Sequence, residues 1–128
     1  MNSMGEKIWY AHRGARDNEI CKAEAKLSFG FPQDFKALYE KSDGFEMENG
    51  FSYVHFWSID NILAANEIFR EVGQGNYVFF ADADDGIDYF AFERRSKEIY
   101  VFAGDEGMTS CEKFGENIDE LISYIKSL

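Results

Sequence analysis

The chain has 128 residues, 24 of them acidic and 13 basic, for a net charge of −11. That charge disfavours nucleic acid, whose binding needs Lys and Arg to displace counterions from phosphates, and it disfavours an anionic membrane surface for the same reason. The length suits one domain, and 45% hydrophobic residues with thirteen Phe, seven Tyr and two Trp suit an aromatic core rather than a disordered chain.

Residues 1–16 show no clear periodicity and form a poorly defined N-terminal segment; 17–128 is expected to be a single domain. Asp17 is a plausible N-cap, followed by Ile20, Ala23 and Leu27 at helical spacing up to a stop before Gly30. Pro32 opens a second helix, where its missing N–H costs nothing, with Phe35, Leu38, Tyr39 and Ser42 on one face. Asp43-Gly44 ends it. Phe51 to Trp57 alternates and is rich in aromatics, as a strand would be. Ser58 then caps a helix carrying Ile59, Ile62, Leu63 and Phe69, broken at Gly73-Gln74-Gly75-Asn76.

Strands are predicted at Tyr77–Ala81, Asp88–Glu93 and Glu98–Phe102, with a short one near Thr109–Lys113. Asn117, with Glu120 three residues on, caps a last helix whose apolar face is Ile118, Leu121, Ile122 and Ile125. Consecutive strands joined by short turns make an antiparallel meander rather than βαβ units. The expected fold is therefore α+β: a mainly antiparallel twisted sheet of about 4–6 strands, flanked by N-terminal, middle and C-terminal helices.

The densest polar feature is Asp82, Asp84, Asp85 and Asp88. Four carboxylates would suit a hard cation, but the spacing departs from an EF-hand loop, with Gly86 fifth and Glu93 twelfth from Asp82. Asp and Gly also make ordinary turns, and the same residues would serve as a surface for a partner. Glu46 with Glu48, and Asp105 with Glu106, are further acidic patches of that kind. His12 and His55 have no second histidine at metal-ligand spacing, and Cys21 and Cys111 fit no metal or redox spacing. No nucleophile elbow or phosphate loop occurs. Hence no catalytic residue, metal site or cofactor is expected. No apolar run reaches the ~20 residues of a membrane span, and Met1–Tyr10 lacks the core of a signal peptide. Cytoplasm is the expected compartment, with both thiols reduced.

The order of these elements resembles the SUKH superfamily, in particular its group related to a yeast regulator of cell-wall synthesis. The resemblance runs from about Ile20 to Leu128. It rests on Phe31-Pro32-Gln33-Asp34-Phe35, Leu38-Tyr39, Ser42-Asp43-Gly44, Phe56-Trp57-Ser58-Ile59-Asp60 and Asn66. Phe79-Phe80-Ala81-Asp82, Asp85-Gly86-Ile87-Asp88-Tyr89-Phe90-Ala91-Phe92 and Phe114-Gly115-Glu116-Asn117-Ile118-Asp119-Glu120-Leu121-Ile122 complete it. Ile87 departs from the more Gly-rich turn that members often keep.

The resemblance implies an α+β fold and no catalytic residues. It implies an immunity protein that binds and neutralises a cognate bacterial toxin, possibly a nuclease. The alternative it implies is a regulatory or scaffold module binding a cellular protein. In either case the acidity allows a basic protein partner, approached faster under electrostatic steering, although on charge alone acidity for solubility is the favoured explanation. A hydrolase using the aspartate cluster with a metal ion is the third possibility.

Overall fold

A computed structural model describes residues 7–9, 12–48, 53–84, 86–104 and 110–127. The elements run β1 (Lys7–Trp9), α1 (Asp17–Leu27), α2 (Gln33–Lys41), β2 (Phe45–Glu48), β3 (Tyr53–Phe56), α3 (Ile59–Glu71), β4 (Tyr77–Ala83), β5 (Asp88–Glu93), β6 (Ile99–Ala103), β7 (Cys111–Gly115) and α4 (Ile118–Ser127). The seven strands form one antiparallel sheet in chain order, each paired with the next. The α+β class and the meander are as the turn spacing predicts. Two strands are additional. Phe45-Glu46-Met47-Glu48 alternates at period two, but it is short and half glutamate, a residue depleted in strands. Residues 7–9 carry no pattern of their own and pair with β2, Trp9 opposite Glu46 and Lys7 opposite Glu48.

One face of the sheet carries the core. Phe45, Phe56, Ala81 and Phe90 stand in one cross-strand row, and all are buried. A register shift between Phe79 and Ala81 gives β4 one extra residue. Phe80 therefore joins this face, stacking on Phe92 with centroids 4.5 Å apart, while Phe79 turns to the other side. Phe35 of α2 meets Phe80 and Phe92 edge-on and stacks on Tyr39. Each fully buried aromatic contributes about 1.5–3 kcal/mol. From α4, Ile118, Leu121 and Ile125 are buried, and Tyr124 packs on Phe114, which packs on Phe90.

The helix ends obey local chemistry. Ser58 Oγ accepts from Asn61 N–H, and Asn117 Oδ1 from Glu120 N–H, as predicted. At α1 the N-cap is Arg16 rather than Asp17. Glu19 reaches back to accept the Arg16 N–H (2.8 Å) while paired with Arg13 (3.0 Å). Those contacts pull the Glu19 carboxyl down to about 2.

Candidate protein-binding face

Cross-strand partners share a face, so register decides which side chains meet. Glu46 on β2 stands opposite His55 on β3, His55 opposite Asp82 on β4, and Asp82 opposite Tyr89 on β5. In the next row Glu48 stands opposite Tyr53. Asp84 completes that row: its N–H donates to Tyr53 O (2.8 Å), and its Oδ1 accepts from Tyr53 N–H (3.1 Å). Asp84 holds a left-handed backbone, φ 52°, a conformation Asp tolerates better than most residues. The row between these two, Met47 with Val54 and Ala83, is buried on the side that carries α2 and α4, so both polar rows face away from those two helices. Glu46, Glu48, Tyr53, His55, Asp82 and Tyr89 are part-exposed, and Asp84 is exposed.

The structure thus joins two patches that lie more than thirty residues apart in the chain. Glu46, Glu48 and Asp82 share one sheet face, and Asp84, just past β4, is tied to Tyr53 at its margin. Asp88 does not join them. It stands opposite Ala83 and Ala103, one residue out of phase with Tyr89, and so points to the helix side. There it lines a shallow hollow with Val101, Ser110 and Glu112. Asp85, Asp105 and Glu106 lie outside the described residues.

His55 sits at the centre of the face with its side chain 40% exposed. Its Nδ1 is 3.9 Å from Asp82 Oδ1, an ion-pair distance when the imidazole is protonated and too long for a hydrogen bond. Among the described residues, no three His, Cys, Asp or Glu side chains come together closely enough to hold a metal ion. The odd positions of β3, Tyr53 and His55, are the part-exposed ones, in keeping with the period-two alternation of this strand.

A hollow of about 330 Å³ lies elsewhere, between α1 and α3. Lys26, Arg70 and Arg94 line it beside Glu67 and Asp60. Arg94 serves the fold. Its Nε donates to Gly75 O (2.6 Å) and its Nη1 to Leu27 O (2.7 Å), the last residue of α1. A cation there satisfies an orphan carbonyl at the negative end of a helix. Burial and the neighbouring Arg70 charge lower the Arg94 pKa.

The fold is a seven-stranded meander with α2 and α4 on one face; on the other, Phe69 of α3 covers Phe79, beside an acidic, part-aromatic surface. A family model, the SMI1 / KNR4 family (SUKH-1), matches residues 14–124. The chain belongs to that family. No curated protein matches it. No described helix is long and apolar enough to cross a membrane.

Most residues that carry the resemblance hold the scaffold together. Asp34 accepts from its neighbour Phe35 N–H (2.8 Å) and from Ile118 N–H (3.1 Å), tying the starts of α2 and α4. The buried Tyr39 hydroxyl donates to Trp57 O, and burial raises the phenol pKa well above its ordinary value. Ser42 Oγ donates to Gly44 O, and Asp43 accepts from Ile59 N–H (2.7 Å) at the start of α3. Gly44 has φ +92°, and a Cβ there would stand 2.9 Å from Ser58 N. Asn66 bonds both backbone groups of Phe79. Of the motif residues, Asp82 and Tyr89 belong to the outer polar rows.

Proposed function

We propose that this chain is a non-catalytic, cytoplasmic protein-binding module of the immunity type, which binds and neutralises a basic bacterial toxin domain, a nuclease being the best chemical match. One observation carries this reading: register brings Glu46, Glu48 and Asp82, with Asp84 bonded to Tyr53 beside them, onto the sheet face opposite α2 and α4. A nuclease must present Lys and Arg to a phosphate backbone. An acidic face that competes for those cations blocks the groove and accelerates encounter with it. Family membership supports a binding role, and most of the family motif is committed to scaffold contacts, which leaves recognition to the side chains around it.

The test is co-purification of the chain with each protein encoded by the genes flanking its own, with inhibition of growth arrest and of nuclease activity as readouts. A tight complex that silences a flanking toxin supports the immunity reading. Tight binding to a non-toxic neighbour would move the protein to the regulatory or scaffold class. No binding to any neighbour would count against the immunity assignment altogether.

A further inference from the structure

The outer face carries more than carboxylates. A connected series of rings crosses it. Trp57 meets Tyr89 (centroids 6.1 Å apart), Tyr89 meets Phe69 of α3 (5.7 Å), and Phe69 meets Phe79 (4.2 Å). Phe79 then meets Phe102 (4.9 Å), Phe102 meets Tyr77 (4.9 Å), and Tyr77 meets Tyr100 (5.5 Å). Phe79 and Phe102 are buried beneath their neighbours. Phe69, Tyr77, Tyr89 and Tyr100 stay part-exposed. Adjoining Phe69 in the chain, Ile68 and the α3 C-cap residue Val72 are 63% and 65% exposed, one turn apart. The row Glu46, His55, Asp82 runs directly into Tyr89.

We propose that this aromatic band is the affinity-bearing seat of the interface, and that it seats a segment of a partner protein carrying arginine or lysine between apolar residues. The inference rests on the protein-binding reading above and names the part of the surface that holds the partner. Tyrosines supply large contact area at low entropic cost and dominate binding hot spots. Arginine stacks its guanidinium on such rings and lays its aliphatic stem along apolar neighbours, here Ile68 and Val72. The carboxylates beside Tyr89 select cations over anions. Charge decides against the other occupants. A second copy of this chain, also at −11, would face acid with acid, and single-stranded nucleic acid needs a positive groove beside its stacking rings.

The probe is a short synthetic peptide of alternating arginine and leucine, titrated into the labelled full chain by NMR, with an alternating glutamate–leucine peptide as control. The expected result is saturable shifts centred on Phe69, Ile68, Val72, Tyr77, Tyr89 and Tyr100, with the control silent. Tyr89→Leu keeps apolar bulk, and Val72→Asp changes an exposed position that the fold tolerates. Each should weaken the arginine peptide about tenfold, whereas Asp82→Lys should weaken it chiefly at low salt. Shifts confined to α1 or α4, equal binding of the control, or undiminished binding by both variants would overturn the seat. The two readings fail separately. A toxin–immunity complex indifferent to Tyr89→Leu and Val72→Asp refutes only this seat, while the absence of any neutralised neighbour refutes only the immunity assignment.

Discussion

Asn66→Ala tests whether a side chain replaces a missing strand. β3 pairs with β4 only over Ala81–Ala83, so the Phe79 backbone lies beyond the end of that ladder. Asn66, 8% exposed, occupies the gap. Its Nδ2 donates to Phe79 O (2.8 Å), and its Oδ1 accepts from Phe79 N–H (2.8 Å). Removing the amide leaves two buried backbone groups without partners, at about 1–3 kcal/mol each. Alanine's better helix propensity returns at most about 0.7 kcal/mol. A net loss of about 1–5 kcal/mol follows, with about 3 as its centre, a large fraction of the roughly 5–15 kcal/mol that holds a domain. At about 3–5 °C per kcal/mol for a domain of this size, Tm should fall by about 10 °C. Urea unfolding followed by circular dichroism gives the free energy directly. The slope against urea should be unchanged, because the exposed surface is the same. Asn61→Ala, at an exposed position of the same helix, should cost under about 0.5 kcal/mol. A loss below about 1 kcal/mol for Asn66→Ala would show that the Phe79 groups find water or another partner. The account of how α3 is positioned over the sheet would then be wrong.

Three further outcomes follow from the geometry. Gly44→Ala forces φ +92° on a residue with a Cβ and drives it to 2.9 Å from Ser58 N; it should cost about 1–3 kcal/mol, read by urea unfolding. Tyr39→Phe removes the hydroxyl that donates to Trp57 O at a fully buried site and should cost about 1–3 kcal/mol for the orphaned carbonyl. Glu19, lowered from 4.5 to about 2 by Arg13 and the Arg16 N–H, binds its proton more readily when unfolded. Its contribution is complete above its unfolded pKa and disappears as pH falls from about 4.5 to about 2. Unfolding midpoints of the wild type and Glu19→Gln should therefore converge across that window, and parallel curves would contradict the assignment.

Much of the scaffold was legible because its signals are local. Ser58 and Asn117 cap helices by contacts within one turn, and a residue type at one position announces such a contact. The strands of the meander carry their own alternation. The N-cap of α1 falls one residue before Asp17, at Arg16, whose own N–H is taken by Glu19 reaching back from N3, so no side chain of the usual capping type marks the position. β1 was illegible because its evidence lies in β2, its partner. The Phe80 bulge was also illegible: a run of apolar residues does not say which one is extra, and that decides which aromatic faces the helices.

The candidate face was illegible for a deeper reason. Read along the chain, Asp82, Asp84, Asp85 and Asp88 are one cluster, and Glu46 with Glu48 are another. Folding redraws both boundaries. Period-two alternation carries Asp88 to the helix side of the sheet, while antiparallel register across β3 brings Glu46 beside Asp82 through His55. Proximity in sequence is therefore a poor guide to a binding surface on a sheet, where neighbours are set by pairing. The same logic separates scaffold from recognition here. Tyr39, Ser42, Asp43, Gly44 and Asn66 spend their polar groups or their space on backbone contacts. Substituting them should change stability before specificity. Side chains of the outer rows, such as Glu46 and His55, point away from those contacts, so substitutions there can alter the partner while leaving the fold intact. A scaffold divided in this way can retain its sheet and exchange its outer rows, which is what recognition of different partners by one fold requires.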